Sequence, residues 1–469
     1  MQRREERKSF LTLRLRVFAL KCFPLFALLF FSGCRKPSTS LDQGWSAPVT
    51  VTQSKDGLMG GVVLHKWNKA IIALQGRDEN AAKCFVMDSM NNSWSEAPLV
   101  GVPEGYFWNR PAIDRANDKA FFQHGYIENN QLVMSVILGR MTANGNLAMR
   151  DVTEMKWITE TKTLFGEARS NFRLSERNEP RKRDWPELGH GIISGSDLYI
   201  PLSVQGFTYN GNGVAIARGP YCGGVFHSAD SGKTWQLEQI TDFQGGGSSV
   251  CRSKERYNYF VVKEVMHEGS QLCFSSKHST GGSWANLSVV TKTFGYGYVT
   301  VPQNDTVHLC WLDRRHEKRR SNPVYPRRGN YEVAYCQRKD SDSSWSKDVI
   351  LSEGLLYSHT PTMSVEGDKV VVAWSGIQTA GDWHAPSNPN DIYYRTSRDG
   401  GKSWDKLLKV TDGAKDGITS GEPQVVLQNG IIHLMYIQGK LNLKQESPGL
   451  TKLNQPPWPI YYQQRPFPN

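Results

Sequence analysis

An eight-residue pattern that occurs twice narrows the folds open to this chain. It reads Ser228-Ala229-Asp230-Ser231-Gly232-Lys233-Thr234-Trp235 and returns as Ser397-Arg398-Asp399-Gly400-Gly401-Lys402-Ser403-Trp404. In each copy a short acidic side chain can accept hydrogen bonds from the backbone of its own loop, and glycine supplies a left-handed position. β-rich runs precede both copies, Val225-Phe226-His227 and Ile392-Tyr393-Tyr394-Arg395-Thr396, so each predicts a tight loop between two hairpin strands. Partial versions stand at Ser279-Thr280-Gly281-Gly282-Ser283-Trp284, Asp342-Ser343-Ser344-Trp345 and Asn91-Asn92-Ser93-Trp94. Recurrence of one hairpin marks a repeat architecture, whose units bury their faces against one another.

The two complete copies resemble the Asp-box, S-x-D-x-G-x-[ST]-W, of the sialidase (neuraminidase) superfamily and related BNR-repeat β-propellers. The resemblance implies an all-β chain: a β-propeller of four-stranded antiparallel blades. In that family the box lies at the periphery, so Asp230 and Asp399 are expected as structural pins of their hairpins and not as acids. Strand starts fall near Val62, Asn109, Ile192, Ser248, Tyr298 and Thr362, and the last repeat, beginning at Glu422, shows three strands with no fourth. Trp45 to Val51 is a strand with nothing before it. Joining it to the last repeat closes the final blade and hides two sheet edges. That gives seven blades, or six if the weakly patterned stretch from Leu147 to Trp185 is irregular.

The N-terminus is set apart. Arg3, Arg4, Arg7, Lys8, Arg14 and Arg16 precede an apolar run from Cys22 to Phe31 that is short for a membrane span. Phe31-Ser32-Gly33-Cys34 followed by a polar stretch resembles a bacterial lipoprotein signal. The expected organisation is a signal peptide over 1–33, a tether over 34–44 and the propeller over 45–469, with Cys34 lipidated. An ordinary cleaved signal near the same place is the alternative. The implied address is export, to the outer membrane, periplasm or cell surface. Removal of residues 1–33 takes seven basic and two acidic residues from a formal charge of +11, leaving +6. Much of that excess lies between Arg314 and Arg328. It reads as a solvated face or as an attractor for an anionic glycan, and export argues against a nucleic-acid partner. Cys310 and Cys336 fall on neighbouring strands, where they can pair or serve as small hydrophobes.

A propeller offers a pocket on its axis, at one end of the inner strands. The resemblance implies a glycan substrate and glycosidic hydrolysis by three carboxylate-binding arginines, a tyrosine nucleophile with its glutamate, and an aspartate acting as acid and base. Ile71-Ile72-Ala73-Leu74-Gln75-Gly76-Arg77-Asp78 is similar to the family's LLAFAEGR strand, which places Arg77 in substrate binding and Asp78 in catalysis. Gly189-His190-Gly191 and Tyr357-Ser358 are similar to further family segments. Departures are plain: Met59-Gly60-Gly61 replaces Arg-Ile-Pro, Gly246-Gly247-Ser248 replaces Asn-Glu-Ser, and Lys263 stands where an arginine is expected. The site has therefore diverged. Arg110, Asp313 and Arg315 are further candidates for binding substrate. Glu422 and Glu187 can supply paired carboxylates, or His190 can take a proton beside Tyr357. Trp108 and Trp383 can stack on sugar rings. Histidine spacing shows no zinc motif and no nucleotide loop is present, so neither metal nor organic cofactor is expected. The expected partner is a glycan, met by a monomer anchored to a membrane by lipid. The rival reading is a non-catalytic carbohydrate-binding propeller.

Overall fold

The computed structural model describes residues 39–54, 62–67, 70–75, 83–88, 93–97, 109–114, 119–128, 131–140, 150–160, 187–188, 191–209, 215–241, 245–265, 269–316, 331–355, 357–378, 389–440 and 458–468. Residues 109–160 and 187–188 are described by their backbone alone. Residues 41–469 form one unit; residues 1–40 form another, described only at Thr39 and Ser40. Cys34 and the apolar run before it lie outside the described residues.

Strands follow one another with no α-helix among the described residues. After β1 (Val49–Ser54) come β2 (Val62–Trp67), β3 (Ala70–Gln75), β4 (Lys83–Asp88) and β5 (Ser93–Ala97). Next are β6 (Asn109–Asp114), β7 (Lys119–Glu128), β8 (Gln131–Arg140) and β9 (Arg150–Glu160). The third group is β10 (Glu187–Leu188), β11 (Ile192–Ser194), β12 (Asp197–Tyr209), β13 (Ala215–Ser228) and β14 (Gln236–Thr241). Then follow β15 (Gly245–Arg252), β16 (Arg256–Val265), β17 (Gly269–His278), β18 (Ser288–Gln303), β19 (Thr306–Asp313), β20 (Glu332–Lys339) and β21 (Val349–Ile350). The chain finishes with β22 (Tyr357–Glu366), β23 (Lys369–Ile377), β24 (Asp391–Ser397), β25 (Leu408–Lys409), β26 (Ile418–Gln428), β27 (Ile431–Lys440) and β28 (Trp458–Pro466).

These strands make antiparallel sheets in which neighbours are mostly consecutive in sequence, except that β10 and β11 both pair with β12 and β1 pairs with β28. The stretch around Leu147, weak in the sequence, carries the regular strand β9, paired with β8. One sheet has seven strands because β18 serves two groups, pairing with β17 through Ser288 to Phe294 and with β19 through Phe294 to Gln303. First strands also touch across sheets, in the order β2, β6, β11, β15, β18, β22, β26 and back to β2. Lys66 at the end of β2 reaches Glu366 at the end of β22, 3.2 Å away.

The middle strands are apolar on both faces because each sheet is covered on both sides. Lys369–Ile377 shows the logic. Val370, Val372 and Trp374 pack with Leu312, Val333 and Tyr335 of the preceding group. Val371 and Ala373 point the other way, onto Val425, Leu427, Ile432 and Leu434. Alternation along one strand thus fills two interfaces, each buried aliphatic side chain contributing about 1.5–3 kcal/mol. Tryptophans of the hairpin loops wedge into the same seams: Trp404 meets Tyr335 at 4.8 Å, Trp345 meets Phe274 at 5.3 Å and Trp94 meets Tyr462 at 5.2 Å between ring centroids. Cys310 and Cys336 are free thiols in different clusters, filling space as small hydrophobes.

Both complete loops share one set of bonds. Asp230 accepts from the Thr234 backbone at 2.8 Å, the Thr234 hydroxyl at 2.7 Å and Ser228 at 2.8 Å, while Ser228 Oγ accepts from Gly232 N–H at 2.7 Å. Asp399 repeats this with Ser403 N–H at 2.9 Å, the Ser403 hydroxyl at 2.5 Å and Ser397 at 2.8 Å. Gly401, at φ 87°, must lack a side chain, since a Cβ there would lie 2.0 Å from the Tyr335 hydroxyl. The Thr234 donors hold Asp230 down at about 2. At Asp399 desolvation acts upward but is outweighed by the Ser403, Ser397 and Lys402 donors, again giving about 2. A depressed carboxyl stabilises the fold above its unfolded value, and that stabilisation goes as pH falls from about 4 towards 2. Asp399→Asn is therefore expected to lower stability at neutral pH and to flatten the loss between about pH 4 and 2, as read by acid titration of the unfolding midpoint. An unchanged slope would count against this account.

The first and last described strands pair with each other. β1 lies antiparallel to β28, from Val49 opposite Tyr462 to Ser54 opposite Trp458, and completes the sheet of β26, β27 and β28. Upstream, Ser46 N–H donates to Gln464 O at 2.8 Å and Gln463 Nε2 to Ser46 O at 2.7 Å. Asp42 takes the Arg465 guanidinium and the Tyr394 hydroxyl. Residues 42–46 thus strap the last two sheets together at their outer edges.

Candidate functional site

Five of the first strands share an irregularity near their start, which β2 and β11 lack. Register slips between Asn109 and Ala112 in β6, Gly246 and Ser248 in β15, Phe294 and Tyr298 in β18, His359 and Thr362 in β22, and Gly421 and Gln424 in β26. Such bulges turn side chains out of the regular pleat. Glycine takes the left-handed position in two of them, at Gly247 (φ 60°) and Gly297 (φ 63°). In the last two it is held by Thr360 (φ 48°) and Glu422 (φ 49°), each followed by proline. A β-branched residue and a glutamate resist this conformation at a cost of about 1–3 kcal/mol each, a kind of strain that gathers at functional sites.

The seam between β22 and β26 keeps an offset of 63 residues: Val425 N–H donates to Thr362 Oγ1 at 3.3 Å and Leu427 N–H to Ser364 Oγ at 2.9 Å. Glu422 holds in the β26 bulge the position that Thr360 holds in the β22 bulge. Tyr357 and His359 lie on one face of β22, their rings 5.5 Å apart, and Tyr331 stands 5.8 Å from Tyr357 on the other side. Asn390 closes the seam, accepting from Ser420 N–H at 2.8 Å and donating its own N–H to Thr419 Oγ1 at 3.0 Å. Burial pushes His359 down to about 4, so the imidazole is neutral at pH 7. Two buried polar atoms at this end have no partner among the described residues, Ser248 Oγ and Ser358 Oγ, while the Asn390 side chain accepts from His359 and partly offsets the effect of its burial. An unmet group of that kind costs about 1–3 kcal/mol, which water or a ligand relieves.

Other candidates fall differently. Asp313 is fully buried at the end of β19 and takes Arg315 through two side-chain bonds of 2.8 Å, with Thr293 at 2.7 Å and Trp311 at 3.0 Å. Burial pushes its carboxyl up, but the Arg315 bonds hold it below the ordinary range. Arg315 also meets Asp348, so this pair is engaged with its own neighbours. Arg110 sits in the β6 bulge, at the position Thr360 and Glu422 occupy in theirs; its side chain, like that of Glu187 in β10, lies outside the described residues. Arg77, Asp78 and His190 lie outside them entirely. Sequence reasoning missed His359, Thr360 and Asn390. The signal was the residue-proline step at the head of three first strands, Arg110-Pro111, Thr360-Pro361 and Glu422-Pro423. Among the described residues no group of three or more His, Cys, Asp or Glu is placed to hold a metal ion.

No family model matches the chain, and no curated protein matches it. Among solved structures it is similar to polysaccharide lyase Uly1, at 7% identity over 93% of this chain and 96% of that one, with a TM-score of 0.47. It is similar to an ulvan lyase bound to its glycan, at 9% identity over 85% and 92%, with a TM-score of 0.45. A third is Trypanosoma rangeli sialidase in complex with sialic acid, at 10% identity and a TM-score of 0.43. That comparison covers 91% of this chain but 59% of the sialidase.

Proposed function

We propose that residues 45–469 form a closed seven-bladed β-propeller that acts on glycans, cleaving a glycosidic bond at the mouth where β22 and β26 begin. The cyclic order of first-strand contacts and the β1–β28 pairing support the ring. One observation carries the chemistry. Tyr357 and the neutral His359 stand side by side at the strained start of β22, their rings 5.5 Å apart, and Glu422 holds the matching strained position at the start of β26. In this reading Tyr357 attacks the anomeric carbon as its proton passes to His359, and the glycosidic C–O bond breaks onto an oxygen protonated by Asp78. Water then displaces Tyr357, giving its proton to Asp78 as His359 returns one to the phenolate, with Glu422 steadying the imidazolium in between. Arg110, Arg77 and Asp78 complete the substrate contacts from neighbouring blades. The protein is exported as a lipoprotein acylated at Cys34 and works as a monomer.

A second route uses the same groups. A neutral imidazole beside a phenol can instead act as base and acid in an elimination that leaves an unsaturated sugar. Product analysis separates the two: incubation with sialosides and with uronic-acid polysaccharides should give reducing sugars without a new double bond if hydrolysis is correct. An unsaturated product would replace hydrolysis with elimination. Binding without any turnover would leave a carbohydrate-binding propeller.

A further inference from the structure

We infer that Tyr331 forms a stacking platform for the sugar ring adjoining the one that reacts at Tyr357 and His359, which makes it the outer subsite. This rests on the glycan reading and assigns it a direction of binding. The Tyr331 ring stands 5.8 Å from that of Tyr357, which stands 5.5 Å from that of His359, and Tyr331 is half-buried, leaving part of it available to a ligand. Tyrosine suits the task because its face is apolar and electron-rich while its edge is polar, matching the C–H face and hydroxyl rim of a pyranose.

Tyr331 is held in place by more than its own rotamer. A Cβ added at Gly295 would lie 2.8 Å from both Cδ1 and Cε1 of the Tyr331 ring, so the ring rests against bare backbone in the β18 bulge. On the other flank, Ser358 N–H donates to Tyr331 O at 3.0 Å, which ties the residue to the start of β22 beside Tyr357. The platform therefore spans the seam between two sheets and is fixed to both. Trp108 and Trp383, the stacking residues suggested by composition, lie outside the described residues.

The test is affinity electrophoresis of the purified protein in gels containing hyaluronan, alginate, polysialic acid or xylan. Wild type should be retarded by at least one of them. Tyr331→Leu, which keeps apolar bulk but removes the ring, should weaken that retardation about five- to ten-fold. Tyr331→Phe should stay within about two-fold of wild type, because stacking does not need the hydroxyl. Gly295→Ala should weaken binding as Tyr331→Leu does, by displacing the ring, and thermal unfolding of each variant checks that it is folded. Wild-type retardation by Tyr331→Leu and Gly295→Ala would overturn the platform and leave the glycan reading standing. If no polysaccharide retards the wild type, the glycan reading fails and takes the platform with it.

Discussion

Glu422→Gln is expected to lower turnover by about 10²–10⁴-fold, the usual contribution of a positioned acid or base, with no fall in the unfolding midpoint. The substitution keeps the shape of the side chain and removes only its charge. Glu422 stands at φ 49° in the β26 bulge, a conformation that a glutamate resists. The residue thus carries strain that a purely structural position would shed. Two companions make the argument sharper. Thr360→Gly and Glu422→Gly should each stabilise the fold by about 1 kcal/mol, the relief of left-handed strain less the extra entropy glycine loses on folding. Glu422→Gly should be as inactive as Glu422→Gln while unfolding at a higher temperature. Steady-state kinetics and calorimetry read both quantities. Activity within ten-fold of wild type in Glu422→Gln would remove this residue from the chemistry.

Truncation to residue 55 should lower the unfolding midpoint by about 10 °C or more, or abolish cooperative unfolding. The cut removes β1, and with it every bond to the free edge of β28 from Tyr462 to Trp458. It also removes Asp42 and Trp45, leaving the Arg465 guanidinium, largely buried, without its carboxylate. An uncompensated charge of this kind costs about 3–5 kcal/mol by itself. Asp42→Ala isolates that part and should show a smaller drop with cooperativity kept. An exposed β28 is also an edge on which a second chain can pair, so the truncated protein should scatter light at concentrations where the full chain stays clear. A truncated chain that melts cooperatively at the wild-type temperature would show that the end strand contributes little.

Much of the fold was legible because hairpin loops have strict chemistry. Asp230 and Asp399 announced their turns through the serine, glycine and threonine or serine around them, and the end-to-end pairing followed from counting strands. β9 escaped notice: Arg150–Glu160 has charged residues at Arg150, Asp151, Glu154, Lys156 and Glu160, which blur the alternation expected of a strand. The site was harder. Tyr357 and Glu422 were named from the sequence and His359 was not, because its neutral state depends on burial that no local pattern carries. Asp313 and Arg315 were attractive for their chemistry, yet two residues of separation let them satisfy each other. Sequence shows which groups are present and leaves open whether they face a ligand or one another.

Strand β18 is a single run of sixteen residues that belongs to two groups of strands within one sheet, whereas the sheets of β22 and β26 are joined through residues 410–417. The two groups of strands on either side of β18 are held together by continuous backbone hydrogen bonding, while β22 and β26 meet through side chains and a few backbone bonds, so relative movement is expected to concentrate at that second seam.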